Sequence, residues 1–143
     1  MESNMKKISM LAGIFILLNA SALFAFDHNY TAWGNVLAKF VHKKGNDNVV
    51  NYAGIAKDRS DLDTFLKEVE ALKLDEYQKF SPNQQLSFLF NSYNALTIKF
   101  ILIGMLEGPV KSIKDLGSVF KSPWKKRFFN FLGEESFLDH IEH

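Results

Sequence analysis

Apolar residues recur at helical spacing along most of this chain, and the runs differ in how much of the helix surface they cover. From Asn29 to Val41, the residues Tyr30, Trp33, Leu37, Phe40 and Val41 share one stripe, which predicts a first amphipathic helix. Lys43-Lys44-Gly45 closes it, with cations in the last turn and a glycine beyond them. Asn46-Asp47-Asn48 has the composition of a turn, and Val49-Val50-Asn51-Tyr52 is short, β-branched and bounded, as a strand would be. Leu62, Phe65, Leu66, Val69 and Leu72 form the next stripe, with Ser60 placed to cap that helix and Asp63 three residues on.

The clearest helix start is Ser81-Pro82-Asn83-Gln84. Ser81 can accept from early backbone amides, Pro82 suits a first position that needs no donor, and Gln84 completes a capping box. From Gln85 to Leu106 the chain is apolar nearly all round, the pattern of a central buried helix or a membrane span. Gln84, Ser87, Asn91 and Asn94 share one face and Lys99 follows, which favours burial in protein. Gly104 and Gly108-Pro109 mark its end.

Lys111-Ser112-Ile113-Lys114-Asp115-Leu116 has no dominant period, and Ser122-Pro123-Trp124 starts a short turn or helix. Phe128 to Leu132, then Gly133-Glu134, then Ser136-Phe137 reads as a β-hairpin. Leu138-Asp139-His140-Ile141-Glu142-His143 begins an amphipathic pattern with no cap or breaker behind it, so a truncated domain is expected. The predicted class is α+β: predominantly helical, with a long central buried helix and a short β-hairpin near the C-terminus.

Composition agrees with one modest domain: 143 residues, 47% apolar and 14% aromatic, with fourteen Phe. Lys6 and Lys7, the apolar run Ile8 to Leu18, and small residues at Ala20-Ser21-Ala22 and Ala25 give residues 1–25 the layout of a signal peptide. An uncleaved anchor is the alternative, since Ile8 to Phe26 nearly spans a bilayer. The predicted domain is then 26–143, in the periplasm or secreted, with membrane contact only through the signal. Removing residues 1–25 takes away Lys6, Lys7 and Glu2 and brings the formal charge from +1 to zero, so no nucleic-acid partner is expected. With no cysteine, disulfides, thiolate nucleophiles and cysteine metal sites are excluded within this chain.

Candidate chemistry is sparse. Asn91 and Asn94, flanking Tyr93 on the greasy helix, need partners if buried. They either hold a neighbouring loop or face a ligand, where amides can orient or stabilise an oxyanion but cannot transfer protons. Asp139, His140, Glu142 and His143 crowd the last residues. There a carboxylate beside an imidazole could orient it or hold a metal, although catalytic metals usually need three protein ligands and a solvated helix face gives the same pattern. Lys111, Lys114, Lys121, Lys125, Lys126 and Arg127 around Trp124 form a basic stretch, suited to phosphate or an acidic polysaccharide, or simply to solvent. His28 and His42 read as surface residues. There is no phosphate-binding glycine loop, nucleophile elbow or His-Glu-x-x-His pattern. The sequence names no cofactor, leaves enzymatic activity open, and is compatible with a small-molecule or protein partner.

In order along the chain, Val50-Asn51-Tyr52, Gln85 to Ile98, Ser112 to Asp115, Pro123-Trp124, Gly133 and Leu138 to His143 resemble the bacterial family called domain of unknown function 547. The most specific pieces are Asn91-Ser92-Tyr93-Asn94-Ala95-Leu96 and Ile141-Glu142-His143. Members of that family carry Trp at the place of Leu89 and an acidic residue at that of His140. They also continue past Ile-Glu-His into a helix and a segment containing a Cys-Pro pair. The resemblance implies an exported protein of uncharacterised activity, with Asn91, Tyr93, Asn94, Glu142 and His143 as candidate site residues and Glu142 and His143 as candidate metal ligands. The family's suggested similarity to papain-like cysteine peptidases implies thiol chemistry, for which this chain has no cysteine. Read this way, the chain is catalytically inactive as it stands; a papain-like hydrolase relative lacking its cysteine segment and a small periplasmic binding module are the alternatives.

Overall fold

The computed structural model describes residues 25–106, 108, 110 and 123–142, Pro123 and Glu142 without their side chains. The predicted signal residues before Ala25, the Lys111 to Leu116 stretch and His143 lie outside them. The architecture is α+β and mainly helical. Helix α1 (Thr31–Phe40) leads into a hairpin of β1 (Val41–Lys44) and β2 (Asp47–Val50), followed by α2 (Tyr52–Lys57), α3 (Ser60–Ala71), the single turn α4 (Leu74–Tyr77) and the long α5 (Pro82–Met105). A 3-10 turn (Pro123–Lys125), a second hairpin of β3 (Phe129–Phe131) and β4 (Glu134–Ser136), and α6 (Asp139–Glu142) follow.

Local chemistry explains most boundaries. Ser81 Oγ accepts the Gln84 amide at 3.3 Å while Gln84 Oε1 accepts the Ser81 amide at 2.9 Å, so the capping box opens α5 with Pro82 behind it. Phe131 and Glu134 close β3 and β4 around Leu132-Gly133, both at positive φ (52° and 97°). That is the backbone twist two-residue hairpins require.

Two expectations need correction. Lys43-Lys44-Gly45 does not end a helix: Val41 to Lys44 turns extended and pairs antiparallel with Asp47 to Val50 across Gly45-Asn46. Gly45, at φ +65°, supplies the first turn residue. The predicted strand therefore stops at Val50, and Asn51 caps α2 by accepting the Gly54 amide at 2.9 Å. Ser60 likewise does not cap α3. Arg59 occupies that position, and Ser60 Oγ bonds the Asp58 carboxylate at 2.9 Å.

Leu62, Phe65, Leu66 and Val69 of α3 meet Phe88, Ala95, Leu96 and Ile98 of α5 in one core that also takes Trp33, Val36, Ile55, Phe129, Phe131 and Leu138. Burying each large side chain contributes about 1.5–3 kcal/mol before chain entropy is counted. Helix α5 is long and apolar enough to cross a membrane by length and composition. Its burial is uneven: Leu86 and Phe90 are 54% and 63% exposed, whereas Phe100, Ile101 and Leu102 are buried. The central helix is thus a core element in its second half and a partly open face in its first.

Candidate functional site

Asn91 is committed to structure. Its Oδ1 accepts the indole N–H of buried Trp33 at 3.0 Å, joining α5 to α1. A side chain fifty-eight positions away is the partner, where loop backbone was expected. The Tyr30 hydroxyl lies buried nearby with no well-formed hydrogen bond among the described residues, and burial raises its pKa while the neighbouring Asn91 amide opposes the shift. Asn94 points to solvent and Tyr93 is half-buried, so the two amides do not converge on one cavity. The polar group in the core of α5 is Ser92 instead, fully buried, with an Oγ that has no partner among the described residues. Nothing in its sequence neighbourhood separates it from an exposed serine.

At the other end, Ser136 Oγ and His140 Nδ1 lie 2.7 Å apart, linking the last residue of β4 to α6. This pair was not foreseen, because it joins positions across a strand-to-helix junction where neither periodicity applies. Hydroxyl and imidazole within hydrogen-bond reach is the first requirement for an activated serine. Ser136, however, has no exposed surface, so substrate cannot reach its hydroxyl, and the contact fastens α6 to the hairpin. Asp139 is half-buried and His140 exposed. The Glu142–His143 pairing falls outside the described side chains. Among the described residues, no three His, Asp or Glu converge as metal ligands.

A different set of groups does converge. Between α3, α5 and the second hairpin lies a recess of about 360 Å³ lined by Glu70, Lys99, Phe128, Phe129, Asn130 and Glu135. Lys99 Nζ meets Glu70 Oε1 at 2.7 Å, with side chains only 21% and 33% exposed. The pair sits on two helices that the core fixes relative to each other. Phe129 is buried beneath, while Phe128 stacks obliquely against Phe100 with centroids 4.9 Å apart. Glu135 stands across from Asn130 in the hairpin register and faces Arg127 at 3.9 Å. The recess therefore offers one ammonium, two carboxylates and an amide beside aromatic rings, groups that bind charged polar molecules. Lys99 was read from sequence only as a marker of protein burial, and Glu70 was not singled out. Their pairing depends on how α3 lies on α5.

The basic stretch is dispersed in the part described. Lys125 is exposed, Lys126 is half-buried and Arg127 faces Glu135. Lys111, Lys114 and Lys121 lie outside the described residues. No family model, curated protein or solved structure matches this chain.

Proposed function

We propose that this chain is an exported small-molecule-binding module, related to the domain of unknown function 547, that works without thiol chemistry. The signal-like layout of residues 1–25 supports export, and the Asn91 to Leu96 and Ile141 to His143 motifs support the relationship. The observation that carries the binding reading is the recess around the Glu70–Lys99 pair. Half-buried opposite charges over aromatic rings suit a ligand bearing both an ammonium and a carboxylate, such as a free amino acid or short peptide.

Such ligands, added to millimolar concentration, should shift the amide NMR signals of residues around Glu70, Lys99, Asn130 and Glu135. Lys99→Met removes a charge-assisted bond worth about 1.5–3 kcal/mol, so affinity should fall tenfold or more. An unchanged spectrum with amino acids and di- and tripeptides of every charge type would sink the proposal.

A further inference from the structure

The two hairpins are covered very differently. Phe129, Phe131 and Ser136 of the second are buried, whereas β1 and β2 are exposed at every residue except Val41 and Val50 at their base. A two-stranded ribbon with no layer on either face is marginal in water, and three or more strands are normally needed. We propose that a second copy of this chain supplies them: β2 pairs antiparallel with the partner's β2 about a two-fold axis at Val49, giving a four-stranded sheet.

The register shows which backbone groups are on offer. Val41 stands opposite Val50 and Lys44 opposite Asp47, and the Asn51 amide donates to the Phe40 carbonyl at 2.8 Å. Hydrogen-bonded pairs alternate with non-bonded pairs along an antiparallel ladder, so the inner bonds belong to Phe40–Asn51, His42–Val49 and Lys44–Asp47. Val41 and Lys43 on one edge, and Asn48 and Val50 on the other, therefore direct their N–H and C=O groups outward. On the β1 edge the Val41 amide already donates to the Leu37 carbonyl, and Lys43 and Lys44 are the kind of residue that keeps an edge strand from pairing. β2 has no lysine or proline, and among the described residues nothing bonds the outward backbone groups of Asn48 and Val50. The open edge is β2.

That edge is complementary to itself, as a two-fold interface requires. With Val49 opposite the partner's Val49, each Asn48 faces the partner's Val50, and both such pairs exchange two backbone hydrogen bonds. Val49 is 40% exposed, and a non-bonded pair, with Cα atoms about 4.5 Å apart, brings its side chains closest, so the two valines cover each other. The two Asp47 carboxylates end up four residues apart along the ladder, about 13 Å, too far for strong repulsion. The lysines of both copies stay on the outer strands.

Because the chain has no cysteine, one introduced thiol reports this register in the full chain. Val49→Cys should give a disulfide-linked dimer under mild oxidation, since its Cα separation falls in the range of about 4.4–6.8 Å that a disulfide spans. Asn46→Cys, exposed on the same hairpin, would lie about 20 Å from its copy and should stay monomeric. No cross-link at Val49, equal cross-linking at both sites, or linkage of Val49→Cys only to other proteins would each overturn the proposal. Adding Asn48→Pro to Val49→Cys removes an outward donor from each copy and leaves the inner ladder bonds intact, so cross-linking should fall about tenfold. Lys43→Pro does the same on the β1 edge and should leave cross-linking unchanged. Equal loss from both prolines would overturn the choice of β2.

Discussion

Single side chains in this protein do unequal work, and Asn91 shows how an apparent site residue can be structural. Its acceptor satisfies the Trp33 indole, which is 3% exposed. Asn91→Ala should therefore lower stability by about 1–3 kcal/mol, the cost of stranding a buried donor. Asn91→Asp, which keeps an acceptor in place, should recover a measurable part of the loss in urea unfolding. Equal losses for both variants would show that the bond contributes nothing. Tyr30 carries a different burden, holding φ +53° at the start of α1, a conformation that non-glycine residues visit rarely. Two acceptors on Asp27 hold the strained turn: Oδ1 takes the Asn29 amide at 2.8 Å and Oδ2 the Thr31 amide at 2.9 Å. The Trp33–Asn91 pairing could not be read from spacing because its partners are distant in sequence, and Tyr30's backbone state, held by the local Asp27 turn, leaves no mark on hydrophobic periodicity.

Elements announced by neighbouring residues were legible; those decided by remote partners were not. The capping box at Ser81 and the Phe128-to-Phe137 hairpin carry their own instructions. Val41-His42-Lys43-Lys44 does not, since it could extend α1 until pairing with Asp47 to Val50 makes it a strand. The same distinction applies to the recess, whose Glu70 and Lys99 come from helices with no sequence signal for their juxtaposition. Between α1 and α3 the bond is ionic: Lys39 Nζ meets Asp61 at 2.7 Å and Asn35 donates to it at 3.2 Å. The Lys39 and then the Asn35 hydrogen bonds lower the Asp61 pKa below 3.8, and backbone and side-chain bonds from Thr31 lower that of Asp27. For both, the folded pKa lies below the unfolded one, so their stabilisation is present above pH 3.8 and is lost as pH falls through the folded values. Lys39 is raised above 10.5, chiefly by the Asp61 hydrogen bond, so its share is complete below that pH and is lost as pH rises through the folded value. Thermal unfolding should show the parent chain losing Tm below pH 4 more steeply than Asp61→Asn. Parallel acid limbs would remove Asp61 from this account.

At the scale of the whole molecule, stability converges on one ring. Phe88, fully buried on α5, touches Phe26 edge-on and stacks with Phe131 at 5.4 Å and 18°, while Tyr77 and Phe80 flank it. Phe88→Ala should cost about 3–5 kcal/mol, a large share of a domain's usual 5–15 kcal/mol. It should also loosen the N-terminal segment and the second hairpin together, seen as joint loss of amide protection around Phe26 and Phe131. If only one end loosened, the ring would not be the shared anchor. Phe26 opens the described core, Phe131 belongs to the second hairpin, and both dock on the same side chain between them in sequence. The order in which a chain emerges from a ribosome or a translocation channel therefore matters: Phe26 and Phe88 can meet early, but the ring keeps one face bare until the hairpin arrives. Complete burial of that ring therefore waits for the residues of β3 to emerge, well after α5 itself has done so.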